Sequence, residues 1–181
     1  MTDVPKLASG VIDTVSFADY FADTFDKFHL EGFDGRRRHS LAARCGFDES
    51  ASLFATVPTV TSNIYLTISD GDGGTARRVL ATLEDIEAGG SVEPGNVVLF
   101  DDPALDAVGY CGVLVALPGI FNALGHVPWT MTVQDVEYRL LAVLFLSHEE
   151  HLVWRERGHD ALMEHFQATN RDLIHFGVRA D

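Results

Sequence analysis

Four histidines, His148, His151, His159 and His165, share one stretch with Glu149, Glu150 and Glu156. These residue types hold metal ions or move protons near neutral pH. Their spacing does not complete a known site. His148 and His151 are three apart and lack the H-E-x-x-H frame that sets a glutamate as general base. Glu156 and His159 form one E-x-x-H, whereas a di-iron bundle needs two such pairs and two further carboxylates. Asp70, Asp72 and Gly74 begin like a calcium loop, but Thr75 and Ala81 stand where that loop requires Gly and Glu. His126, beside Pro128 and Trp129, reads as a hydrogen-bonded, partly buried side chain.

Nucleophiles are equally unsupported. No G-x-S-x-G presents a serine, and no Walker loop or G-x-G-x-x-G is present. Cys45 follows Arg44 and Cys111 sits in an apolar run, and neither is the electropositive setting that activates a thiol. The expectation is a chain with no catalytic residues, no metal and no cofactor. The alternatives that the residues leave open are a metal-dependent enzyme built on the His/Glu-rich C-terminal helix and a regulatory binding domain of unknown partner.

Charge is the stronger signal. The 181 residues carry 27 acidic and 13 basic side chains, a formal net charge of −14. Nucleic acid and anionic membrane are disfavoured as partners, because both need clustered Lys and Arg. Arg36, Arg37 and Arg38 form the one basic cluster and read as a solvated loop. Residues 84–106 hold Glu84, Asp85, Glu87, Glu93, Asp101, Asp102 and Asp106 without a single Lys or Arg. Such a block is either a solvated face or an electrostatic docking face for a basic partner. On the second reading Glu84, Asp85, Glu87, Asp101 and Asp102 are the candidate partner-binding residues.

These residues must be positioned by a core, and 46% hydrophobic residues are ample for one domain spanning residues 1–181. Phe17, Tyr20, Phe21, Phe25 and Phe28 recur at helical spacing, which predicts a helix over 16–30 with Ser16 as its cap. Residues 53–57 and 62–69 read as strands, the second alternating Ile64, Leu66 and Ile68 against Tyr65, Thr67 and Ser69. Val79, Leu80, Leu83 and Ile86 then mark a helix closed by Gly89 and Gly90. Residues 97–100, 112–118 and 137–146 read as strands, the last apolar without a break from Leu140 to Leu146, as a strand covered on both faces should be. Ser147 and Glu150 form a capping box that opens the C-terminal helix. Gly158 inside that helix costs about 1 kcal/mol relative to Ala, so a kink or two helices are expected there. The tail from Leu173 to Arg179 reads as a short edge strand. Residues 107–134 lack charge but are broken by Gly and Pro, which argues for a buried strand and a tight connection rather than a membrane span. The N-terminus lacks a signal peptide's basic and apolar regions, and two cysteines without CxxC spacing fit a reducing cytosol. Phe21, Phe25, Leu83, Leu144 and Phe166 are the expected core.

The order of elements over residues 60–168 resembles the Suppressor of fused family. The resemblance is carried by IYLTIS, the helix RRVLATLEDIEAGG, the segment VEPGNVV, the strands GVLVALP and RLLAVLFL, and the helix EEHLVWRERGHDALMEHF. It implies an α/β (α+β) domain with a mixed β-sheet flanked by helices, and no catalytic activity. Animal members have two domains and hold a transcription factor in Hedgehog signalling, and this chain is long enough for the N-terminal type of domain alone. Short bacterial members act largely as immunity proteins that bind and neutralise a toxin. The resemblance implies a protein-binding chain whose partner is a toxin, and the acidic block at 84–106 suits a basic toxin domain such as a nuclease. The cysteines and N-terminus place the chain as cytoplasmic.

Overall fold

The computed structural model describes residues 28–34, 40–45, 51–57, 61–70, 73–124, 128–133 and 135–173. Its centre is an eight-stranded mixed sheet. The strands are β1 (Phe28–Asp34), β2 (Ser40–Cys45), β3 (Ser52–Thr56), β4 (Asn63–Ser69), β5 (Val97–Leu99), β6 (Tyr110–Ala116), β7 (Thr130–Val133) and β8 (Val136–Ser147). Their spatial order is β1-β2-β3-β4-β8-β6-β5, with β7 also against β8. The helices are α1 (Gly73–Gly89), the single turn α2 (Pro103–Asp106) and α3 (His148–Ala168), and a 3-10 segment runs over Pro118–Leu124. Every strand pair is antiparallel except β4 with β8.

β8 organises the molecule. On one edge residues 139–142 pair with residues 63–66 of β4. On the other edge residues 136–139 pair with β7 and residues 142–147 with β6. Its side chains alternate between two cores, as the period of two demands. Tyr138, Leu140, Ala142, Leu144 and Leu146 enter one core with Leu53, Ile64, Leu66, Phe121, Leu162 and Phe166. Leu141, Val143 and Phe145 enter the other with Phe54, Tyr65, Val79, Leu80, Leu83, Leu105 and Val113. The unbroken apolar run is thus explained by helices on both faces: α3 on the first and α1 on the second. Leu83, Leu144 and Phe166 are buried as expected, while Phe21 and Phe25 lie outside the described residues.

α1 starts at Gly73. A Cβ at Gly73 would stand 2.9 Å from Cε1 of Phe54, so the helix enters over that ring only without a side chain. Gly112 has a comparable role, because a Cβ there would lie 2.4 Å from the Val98 carbonyl oxygen of β5.

The sequence reading departs from the structure in the first 45 residues. The helix expected over 16–30 ends too late, because β1 begins at Phe28. Residues 16–27 are not among those described. β1 was hidden by its own irregularity, since the register shifts between Leu30 and Gly32 and interrupts the alternation that marks a strand. β2 carries no clear strand pattern, its Ala-rich sequence bounded by Gly and Arg. Arg36, Arg37 and Arg38 fall outside the described residues, as does most of the anticipated C-terminal strand.

α3 is folded on itself. Gly158 has φ 85° and ψ −175°, a conformation essentially confined to glycine, and it separates limbs 148–157 and 159–168. The bend is large. An unbroken helix would place Glu150 and Ala168 about 27 Å apart, yet Nε of Arg171, three residues further, lies 2.5 Å from Oε1 of Glu150. Three residues reach back about 10 Å at most, and the two side chains cannot span the remainder.

Candidate interaction surface

The acidic block divides by helix phase. Leu80 and Leu83 point α1 into the core, and Glu84, four residues after one and next to the other, follows them. It is fully buried, which removes it from any docking face and corrects its place among the candidates. Glu87, one turn later, faces β4. Its Oε1 accepts hydrogen bonds from the Ser62 amide at 3.1 Å and the Ser62 hydroxyl at 3.3 Å, and its Oε2 accepts from the Tyr65 hydroxyl at 2.6 Å. Burial first, and then the Glu87 carboxylate, push the Tyr65 hydroxyl well above the usual phenol range. Glu87 is therefore the tie between the end of α1 and the sheet.

Asp102 also has a structural task. Its Oδ1 accepts from the Ala104 amide at 2.9 Å, capping α2, and its Oδ2 pairs with the Arg78 guanidinium at 2.9 Å. The hydrogen bond from Arg78 holds its carboxyl below the ordinary aspartate value. Asp85 and Asp101 are exposed. Asp85 follows Arg78 by seven residues, within about 20° of two full turns and about 10 Å along the axis. Asp85 thus shares a face of α1 with Arg78, and Arg78 reaches Asp102, whose chain neighbour Asp101 is exposed. Asp85, Asp101 and Asp102 remain on the surface, whereas Glu84 is buried and Glu87 is turned onto the sheet.

Two further acids of the block have distant partners. Glu93 pairs with Arg139 at 2.8 Å across 46 residues, and this contact holds the Glu93 carboxyl below its usual range. Arg139 also donates to Oδ1 of Asn63 at 2.8 Å and to the Val92 carbonyl at 3.4 Å. Asp106 meets Nε2 of His148 at 2.8 Å across 42 residues. Pairings between strands and loops so far apart in the chain leave no mark in local spacing.

The histidine-rich helix does not assemble a ligand set. Glu156 and His159 flank the break at Gly158, so their E-x-x-H spacing does not put them on one helical face. His151 stacks on Trp154 with ring centroids 6.1 Å apart. Among the described residues no three His, Cys, Asp or Glu side chains gather as a metal site. The Cys111 thiol is pushed up chiefly by burial, the reverse of an activated nucleophile. The capping box stands as anticipated: the Ser147 hydroxyl accepts from the Glu150 amide at 3.2 Å, and Oε2 of Glu150 accepts from the Ser147 amide at 2.8 Å.

Sequence reading missed the exposed apolar side chains. Leu99 is 54% exposed at the end of β5, two residues before Asp101, and Trp129 is 57% exposed at the start of β7. Leu117 is also exposed where the chain leaves β6. The Leu140 amide donates to the Trp129 carbonyl at 2.9 Å, so the chain returns to β8 close to where it departed. No helix among the described residues is long and apolar enough to cross a membrane.

No protein-family model and no curated protein sequence matches this chain. Its structure is similar to the crystal structure of a protein described as a suppressor of fused (SUFU) homolog from Neisseria gonorrhoeae. The TM-score is 0.68 at 14% identity, over 88% of this chain and 91% of the other. A match of that extent at that identity speaks for architecture, and the mixed sheet between helices is that of the suppressor of fused homolog.

Proposed function

We propose that this chain is a non-catalytic binding protein that acts as an immunity protein, and that its partner is a basic toxin domain. The carrying observation is the acidic, outward side of α1, where exposed Asp85 shares a helix face with Arg78, and Arg78 pairs with Asp102 next to exposed Asp101. An acidic surface suits a cationic protein partner, because its charges raise the encounter rate and fix orientation. The shared architecture with a suppressor of fused homolog supports a binding role, and the net charge of −14 supports a basic partner.

The direct experiment pairs the purified protein with the product of the neighbouring gene. Stoichiometric binding and rescue of cells from that product are expected. Failure of both sinks the immunity reading. The surface is tested separately by the double reversal Asp85→Lys with Asp101→Lys, two side chains that leave the α2 cap and the Glu87 tie in place. Association should slow about tenfold or more at low salt and lose much of its salt dependence, with dissociation changed less. Unchanged association kinetics would remove this flank from the interface.

A further inference from the structure

The carboxyl-terminal half of α3 is held in an unusual way. Its limb 159–168 buries two apolar side chains, Leu162 and Phe166, with Met163 partly buried beside them. The backbone leaves helical geometry at Gly158, so the limb is not a straight continuation of the one before it. What anchors its far end is a clasp. The limb terminates in a Schellman turn: the Arg171 amide donates to the Phe166 carbonyl at 2.9 Å and the Asn170 amide to the Gln167 carbonyl at 3.2 Å. Asn170 takes the left-handed conformation there, with φ 47°. That turn drives Arg171 back under the start of α3.

The Arg171 guanidinium then meets three elements. Nε donates to Oε1 of Glu150 at 2.5 Å, and Nη2 donates to the Phe145 carbonyl of β8 at 3.2 Å. Cζ lies 5.8 Å from the centroid of the Tyr110 ring of β6. Nη1 donates to the Asp172 carbonyl. Both charged side chains are largely withdrawn from water, at 18% and 6% exposure. Glu150 thereby spends one carboxylate oxygen on the cap of the first limb and the other on the clasp of the second.

We infer that residues 159–173 form a clasped flap, a unit that swings from the sheet about Gly158 while the rest of the domain stays folded, with the Arg171–Glu150 pair setting how often it opens. Opening uncovers the apolar face of β6 and β8 that the limb covers. A limb with few buried side chains, a hinge at one end and one polar anchor at the other is the kind of segment that opens sub-globally. Removing one member of a withdrawn ion pair leaves the other uncompensated, so the anchor has large leverage.

Native-state amide exchange on the full chain tests this. In the unaltered protein, amides of residues 159–168 should exchange about tenfold or more faster than those of 63–69 and 140–146, with little dependence on low denaturant. Arg171→Met should accelerate the limb about tenfold or more further and leave the strand amides unchanged. Arg171→Lys should fall between, and it replaces the Met variant if that one fails to fold. The inference is overturned if the limb in the unaltered protein is as protected as β8. It is equally overturned if the variants leave the limb unchanged, or accelerate limb and strands together.

Discussion

Glu87 shows how a surface charge becomes a structural part. Its carboxylate gathers the Ser62 amide, the Ser62 hydroxyl and the Tyr65 hydroxyl, and so pins the end of α1 to β4. A hydrogen bond to a charged acceptor contributes about 1.5–3 kcal/mol, so Tyr65→Phe should lower unfolding free energy by about that amount. Denaturant titration should show an earlier midpoint with an unchanged slope, and a neutral substitution would refute the tie. Asp102 makes a pH prediction. Its folded-state value is depressed by Arg78, so its contribution is complete above the ordinary aspartate value of about 4 and is lost as pH falls through the depressed one. Asp102→Asn keeps a good helix cap while removing the charge. The stability gap between the two proteins should be open at pH 7 and narrow in strong acid, and a gap that widens on acidification would contradict the pairing. At this scale the sequence showed what is local. Ser147 and Glu150 declare their capping box over three residues. The burial of Glu84 was also legible, since it stands four residues after Leu80, but the acidic run drew attention to charge rather than to phase.

Elements were legible where a single period ran undisturbed. α1, β4, β6 and β8 follow their patterns because each buries a regular set of side chains, and β8 does so on both faces. β1 was lost to a register shift, and the helix expected over 16–30 ran into it because Phe28 continues the spacing of Phe21 and Phe25. α3 announced its break through Gly158, yet nothing local foretold how far the chain turns, because the turn is fixed by Arg171 reaching Glu150. The Schellman turn gives the prediction that belongs here. Asn170→Gly should leave stability near its original level, since glycine accepts the left-handed conformation freely. Asn170→Val should cost about 1–2 kcal/mol, because a β-branched residue at φ 47° is strained. Thermal unfolding of the two variants separates them, and equal midpoints would show that the turn is not what directs Arg171.

For the molecule as a whole, the net charge of −14 proves less uniform than its total implies. Part of the acidic block is spent internally: Asp102 on Arg78, Glu93 on Arg139 and Asp106 on His148. The latter two partners stand 46 and 42 residues away, which is why composition alone overstated the free acidic face. The same economy governs the cores. Both lie against β8, with neighbouring residues Leu140 and Leu141 serving opposite layers. Damage to one layer must therefore be felt in the other. Leu141→Ala removes side-chain volume from the α1 layer and should cost about 2–5 kcal/mol. The two tryptophans lie elsewhere: Trp154 packs against the α3 layer and Trp129 immediately precedes β7. If β8 couples the layers into one cooperative unit, the variant's fluorescence midpoint must shift as far as its far-ultraviolet dichroism midpoint. A fluorescence transition left in place while the dichroism moves would mean that the two faces of the sheet unfold separately.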